Sequence, residues 1–239
     1  MKDAATHATA IISGGAGYIG CAIAKTLSQN GWRVAVLSRP GAERADAETY
    51  ACDITDEENV REVVEEIVSR YGPIRACIHA AASPLERKPM LSLSREDFVK
   101  PVSVALRGAF LLAKAAVPHM SPGSVFIGIT TEGIERGATQ AKMGSYIPAK
   151  YALRGFLRAL AEEVRSKHIR VNAVAPGFLP SGLNRDLPKA MADFLAEKSN
   201  ARSQTPDDVA KLITKLCVDE NAFPSGTSIL VSNETVSSL

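Results

Sequence analysis

Short, nearly unbroken apolar runs alternate with longer amphipathic stretches along the whole sequence. The runs are Ala8–Ser13, Arg33–Ser38, Tyr50–Asp53, Ala76–Ala80, Ser124–Ile129, Arg170–Val174 and Ser228–Val231. Most are rich in Val and Ile and lack polar/apolar alternation, the pattern of strands covered on both faces. Strand–helix–strand repetition requires parallel pairing with right-handed crossovers and helices on both sides. The expected fold class is therefore α/β, a doubly wound parallel sheet of about seven strands. No Pro/Gly/Ser-rich linker, charge block or internal repeat divides the chain, so residues 1–239 are expected to form a single domain.

The intervening stretches carry helix-boundary signals. Thr55-Asp56-Glu57-Glu58 and Ser94-Arg95-Glu96-Asp97 have capping-box form. Thr205-Pro206 places a cap before a proline at the first helical position, and Asn30-Gly31 closes a helix. In the long strand-free stretch Pro176–Ser203, Leu183, Leu187, Met191, Phe194 and Leu195 recur at helical spacing. This reads either as an extra core-facing helix or as a mobile apolar cover over a ligand cleft.

Composition excludes several classes. With 46% hydrophobic residues and 28 basic against 26 acidic side chains, intrinsic disorder is excluded, and a net charge of +2 makes no case for nucleic acid or a membrane surface. Cys21, Cys52, Cys77 and Cys217 show no metal-ligand spacing and read as reduced, mostly buried thiols, so no metal site is expected. Met1–His7 is polar, the first apolar stretch is short, and no window approaches the roughly 18–20 apolar residues of a membrane span. A soluble cytoplasmic protein is expected.

The chemistry begins after the first strand, where Ser13-Gly14-Gly15-Ala16-Gly17-Tyr18-Ile19-Gly20 runs into an amphipathic helix. Glycines permit a tight turn, backbone approach to a pyrophosphate and close helix–sheet packing, while the helix start favours a phosphate. A purely structural turn would use glycine too, but the place between first strand and first helix favours a Rossmann-type dinucleotide site. At the end of the second strand, an acidic residue would bind a ribose 2′-OH and repel a 2′-phosphate. Here Ser38 and Arg39 stand instead, a hydroxyl and a guanidinium suited to a 2′-phosphate. NADP(H) is the expected cofactor, the alternative being that Arg39 is simply a solvated strand end.

Tyr146-Ile147-Pro148-Ala149-Lys150 sets a phenol and an ammonium on one helix face. A free phenol titrates near ~10, and a neighbouring ammonium favours phenolate, bringing the group towards acid–base work at neutral pH. A Tyr/Lys pair is also common on ordinary helix surfaces. Pro148 requires the helix to start close to Tyr146, where its missing N–H is harmless.

Together with Cys52-Asp53-Ile54-Thr55, Tyr151-Ala152-Leu153-Arg154-Gly155-Phe156 and Arg170-Val171-Asn172-Ala173-Val174-Ala175-Pro176-Gly177, these motifs resemble the short-chain dehydrogenase/reductase family over nearly the whole chain. The order and spacing are similar to the compact branch that includes 3-oxoacyl-carrier-protein reductases. The resemblance implies that Tyr146 is the proton donor, and that Lys150 lowers its pKa and holds the nicotinamide ribose. Gly14, Gly17, Tyr18, Ile19 and Gly20 would form the pyrophosphate turn, with Ser38 and Arg39 at the 2′-phosphate. Asp53 and Ile54 would meet adenine, and Ala80 would stand beside the cofactor after the fourth strand. Pro176, Gly177 and Phe178 would line the nicotinamide pocket, with Ser181 where the family has a carboxamide-binding Thr. Residues near 178–203 would cover the substrate.

The sequence departs from the family pattern at several places. Gly14, Gly17 and Gly20 are spaced as in the longer, epimerase-type branch, and Tyr18 stands where the compact branch has glycine. His79-Ala80-Ala81-Ala82 replaces Asn-Asn-Ala-Gly, with His79 read as a hydrogen-bonded structural residue. Ala105 replaces an Asn that supports a water-mediated proton relay. The substrate-orienting Ser is replaced by Thr131 or Thr130, whose hydroxyl still offers a donor and an acceptor. Val231-Ser232-Asn233-Glu234 replaces the usual Asp-Gly-Gly ending.

The expected function is an NADPH-dependent oxidoreductase that reduces a ketone or 3-oxoacyl group to an alcohol. Its partners would be a small-molecule or acyl substrate, with an acyl carrier protein left open, and no nucleic acid or membrane. By resemblance, the helices around Ser94–His119 and Tyr146–Ser166 would build a homotetramer or dimer. One alternative is an NADP-binding protein with weak or no catalysis, a sensor or an inert partner subunit, motivated by Ala105 and His79–Ala82. A nucleotide-sugar epimerase draws only on the glycine spacing and His79.

Overall fold

The computed structural model describes residues 8–42, 47–137, 141–198 and 204–232. Seven strands form one sheet: β1 (Thr9–Ser13), β2 (Arg33–Ser38), β3 (Glu48–Ala51), β4 (Ile74–His79), β5 (Met120–Ile129), β6 (Arg170–Ala175) and β7 (Ser228–Leu230). Every neighbouring pair is parallel, in the order β3-β2-β1-β4-β5-β6-β7. Each of the seven apolar runs is a strand, some offset at their ends.

Alternating side chains feed two cores, one on each face. Ile11, Leu37, Cys77 and Phe126 point into one. Ile12, Val36, Ile78 and Ile127 point into the other. This period of two explains why the runs are apolar throughout: neither strand face meets water. Helices α1 (Tyr18–Gln29) and α8 (Pro206–Val218) cover the second core. The first is covered by α2 (Glu57–Tyr71), α4 (Gly108–Ala116) and α6 (Tyr146–Glu163).

The caps largely follow the sequence. Ser94 caps α3 (Arg95–Val102) by accepting from Asp97 N at 3.0 Å. Thr205 and Asp208 form a full capping box, and Asn30 with Gly31 (φ +81°) ends α1. The start of α2 differs. Its cap is Asp56, which accepts from Asn59 N, because the Thr55 hydroxyl donates to Asp53 Oδ1 instead.

Helix α3, a π-helical turn at Ser103–Arg107 and α4 run on continuously, so Arg95–His119 is by length and composition long and apolar enough to cross a membrane. This corrects the expectation that no such window exists. Part of it, including Ala109, Leu112 and Ala116, lies in the core against the sheet.

The strand order reverses between β1 and β4, whose carboxyl ends carry Ser13 and His79 in register. A crevice opens beyond this switch point, the usual place for ligands in open α/β sheets.

Candidate active site

The glycine turn closes over the carboxyl end of β1 with almost no spare room. Gly14 has φ +69°, and a Cβ there would lie 2.6 Å from the Ala81 backbone. One on Gly20 would lie 2.3 Å from the Gly14 carbonyl oxygen. Backbone cannot step aside as a side chain can, so Gly20→Ala is expected to cost about 3 kcal/mol of stability and to weaken dinucleotide binding. Denaturant unfolding and a nucleotide titration check this; wild-type values for both would show that the turn tolerates a methyl group.

At the cap of α1, Gly17 supplies no side-chain acceptor, and no acidic residue sits in the first turn. The N–H groups of the helix start therefore remain for an external anion. The turn opens into a cleft of about 1710 Å³ that runs from Arg39 to Leu195. Its length, the free helix start and the glycine packing fit a dinucleotide. Gly14, Gly17, Tyr18, Ile19, Gly20, Ser38, Arg39, Asp53, Ile54, Ala80, Pro176, Gly177, Phe178 and Ser181 all line it, together with Thr131, Tyr146 and Lys150.

Several of these side chains are already committed. Ser38 is buried, and its hydroxyl accepts from Ala16 N at 3.2 Å. It thereby braces the glycine turn while still lining the cleft. Arg39 is exposed at the cleft edge. Asp53 Oδ1 accepts from Thr55 N at 2.9 Å and from its hydroxyl at 2.7 Å. These bonds, with the Arg39 and Arg107 charges, hold its carboxyl below the usual range. Tyr18, 40% exposed, packs under Gly182, where a Cβ would meet its side chain at 2.9 Å. It thereby joins the glycine turn to the segment that follows β6.

Helix α6 begins at Tyr146, which places Pro148 in the first turn, where the missing N–H costs nothing. Tyr146 faces Thr131, whose hydrogen bond favours the phenolate, but burial has the larger effect and raises the phenol pKa. Lys150 is 5% exposed and donates to Ile129 O at 2.7 Å. Its Nζ lies 5.6 Å from the centre of the Tyr146 ring, and burial pulls its pKa down to about 8. The net shift at Tyr146 is therefore upward, not the lowering expected from the neighbouring ammonium, because burial outweighs the Thr131 hydrogen bond. Thr130 is buried and bonded to Val174 O, which leaves Thr131 as the hydroxyl that reaches the site.

On the opposite wall, Gln204 Oε1 accepts from Gly177 N at 2.8 Å, and its amide nitrogen donates to Val231 O. At the start of the short helix α5 (Glu132–Glu135), Glu132 N donates to Pro176 O at 2.8 Å. These bonds hold Pro176–Phe178 in place. Gln204 and Glu132 escaped the sequence reading because each is an isolated polar residue in a loop, with no pattern to mark it. Over the mouth, Leu183 and Leu195 line the cleft while Met191 and Phe194 are each 49% exposed. The segment with α7 (Lys189–Lys198) thus runs along the cleft mouth, part of it lining the cleft and part half-exposed. Residues 199–203 and the ending Asn233-Glu234 lie outside the described residues.

The family profile described as Enoyl-(Acyl carrier protein) reductase matches residues 14–233. The chain belongs to the short-chain dehydrogenase/reductase family.

Among relatives of this oxidoreductase family, the chain is 31% identical over 185 residues to a 3-oxoacyl-(acyl-carrier-protein) reductase of Thermotoga maritima, covering 75% of this chain and 73% of that one. It is 32% identical over 236 residues to carbonyl reductase family member 4 of Danio rerio, covering 93% and 95%. A short-chain dehydrogenase from Burkholderia cenocepacia, solved in complex with NADP, superposes with a TM-score of 0.85 at 26% identity, covering 95% and 97%.

Within the family pattern, this chain's departures have structural answers. His79 is buried and within 2.8 Å of Ser13 Oγ through Nδ1, locking β4 to β1 at the crevice. Burial and the Lys150 charge push its pKa down to about 3, so it is a neutral structural residue, as its lone position predicts. Ala105 is buried in the π-helical turn Ser103–Arg107, a local widening of the helix.

Proposed function

We propose that this protein is an NADPH-dependent carbonyl reductase that converts a ketone or 3-oxoacyl group to an alcohol. One observation carries this reading: Tyr146, Thr131 and Lys150 converge in the cleft that starts at the glycine turn. Relatives named as carbonyl and 3-oxoacyl reductases support it. NADPH, when bound, supplies the hydride. The chain's residues handle the proton. The Tyr146 hydroxyl hydrogen-bonds the carbonyl oxygen and donates its proton as that oxygen becomes an alkoxide, and Thr131 orients both. The phenolate that remains is stabilised by the Lys150 ammonium. Exposed Arg39 favours the 2′-phosphate of NADP(H) over NAD(H).

A weakly active NADP-binding protein is the second reading, favoured by Ala105 in the π-helical turn and by the engagement of Lys150 Nζ with Ile129 O. Turnover of a reactive neutral diketone with NADPH decides between them; cofactor binding without turnover would favour the second.

The burial of Lys150 sets a pH signature. Its pKa falls from 10.5 to about 8 on folding, so between these values the unfolded chain holds the extra proton. This group therefore makes stability rise with pH across that window. Loss of the ammonium removes support for phenolate, so ketone reduction at saturating substrate falls as pH rises through about 8. Lys150→Met should be slower and lose that fall. A wild-type profile flat through this range would reject the assigned role.

The outer faces of α3, α4 and α6 expose Phe98, Val99, Phe110 and Tyr151, which supports assembly into a homotetramer or dimer through these helices. We further assign a cytoplasmic location, with a small-molecule or acyl substrate and room for a carrier protein at the cleft mouth.

A further inference from the structure

Arg39, Arg87, Arg136 and Arg185 line the cleft. Arg39 and Arg185 are exposed to solvent and Arg136 pairs with Glu132, whereas Arg87 is half-buried. Arg87 lines the same cleft as Thr131 and Tyr146 and has no carboxylate partner among the described residues. Its neighbour Glu86 is engaged by Lys88, which also holds Asp97 at 3.3 Å. The Arg87 guanidinium is held by neutral atoms only: Nη2 donates to Asn184 Oδ1 at 2.5 Å, and Nη1 contacts Met143 Sδ at 3.9 Å. Asn184 is fixed in turn, since its amide nitrogen donates to Leu179 O at 2.8 Å. Partial burial lowers the guanidinium pKa with nothing opposing it.

The placement is as informative as the pairing. Met143 lies one turn before Tyr146, whose N–H donates to the Met143 carbonyl at 3.1 Å. Gly144 (φ +54°) lets that turn press against Glu86 O. Asn184 belongs to the segment that follows β6. One cation is thus held where the loop after β4, the turn before α6 and that segment meet. A partly desolvated guanidinium without a counter-charge is costly, and two of its five N–H donors are used. A planar carboxylate would take the remaining donors in a charge-assisted, forked geometry.

We infer that Arg87 is a specificity-determining residue that binds a carboxylate on the substrate, so that the preferred substrate class is a ketone bearing a free acid. This rests on the carbonyl-reductase reading. A carboxylate held beside Met143, in the turn that leads into Tyr146, suits a small keto acid better than the distant phosphate of a carrier arm.

The test compares 3-oxobutanoate, 4-oxopentanoate and 5-oxohexanoate with their methyl esters, using NADPH and the full chain. At least one acid should exceed its ester in kcat/KM by about 10- to 100-fold, the worth of a charge-assisted hydrogen-bonded pair. Arg87→Gln should erase that preference by raising KM for the acid, leaving the ester and a neutral diketone within about threefold. Arg87→Lys should restore part of it, which a merely structural clip would not. Esters equal to acids throughout, or a preference that survives Arg87→Gln, would overturn the inference. Should no ketone be turned over, the reductase reading fails separately, and calorimetric binding of 4-oxopentanoate, with and without NADP⁺, still decides. Binding that Arg87→Gln abolishes supports the carboxylate site. No binding, or binding indifferent to Arg87, refutes it.

Discussion

Tyr146→Phe should lower NADPH-dependent reduction of a reactive diketone by about a thousandfold, or roughly 4 kcal/mol of transition-state stabilisation. The substitution removes one oxygen from a half-buried side chain whose hydroxyl faces Thr131. The ring remains to pack beneath Lys150, so neither the fold nor the cleft should change. Cofactor affinity is accordingly expected to stay near wild type, and kcat and kcat/KM should fall together, as for a group that acts only in the transition state. Stopped-flow or steady-state NADPH oxidation, paired with a nucleotide titration of the same preparations, checks both halves. Turnover equal to wild type would remove Tyr146 from the mechanism. A parallel loss of cofactor affinity would make it a binding residue instead.

Arg39→Asp has the second large effect expected. The wild-type guanidinium is exposed at the end of β2, where the cleft begins. The substitution exchanges a charge-assisted donor for a like charge facing a dianionic 2′-phosphate, while an aspartate can accept from a ribose 2′-OH. The ratio of NADPH to NADH affinities should fall by about a hundredfold or more at low salt, and by less at high salt because the site is exposed to screening. Ser38→Ala provides the contrast. Its hydroxyl braces Ala16 N, so it should weaken both cofactors alike. An unchanged cofactor ratio in Arg39→Asp would dismiss the 2′-phosphate assignment.

The exposed or local features of the site were readable in the sequence because short-range chemistry dictates them. The glycine turn is one, since only glycine survives a Cβ position 2.3 Å from a carbonyl oxygen. The start of α6 at Tyr146 is another, since Pro148 admits few alternatives. The roles of Ser38 and of the Tyr146/Lys150 pair were less legible. Whether a hydroxyl at a strand end faces a ligand or a neighbouring N–H depends on how two loops pack. Likewise, whether an ammonium lowers a phenol pKa depends on burial that spacing along a helix does not reveal. Choosing Thr131 over Thr130 also needed the third dimension, because one hydroxyl turns back to Val174 and its neighbour turns into the cleft.

By itself, then, the sequence determined the parallel seven-stranded sheet, the tight glycine turn and the phenol–ammonium pair, because each follows from periodicity or from steric limits within a few residues. Only the tertiary structure decided that Lys150 is held by Ile129 O, that Gln204 fixes Gly177, and that Arg87 stands in the cleft with no carboxylate partner among the described residues. These depend on contacts between segments far apart in the chain, and burial, which sets the energy of every charge involved, exists only once those segments have packed.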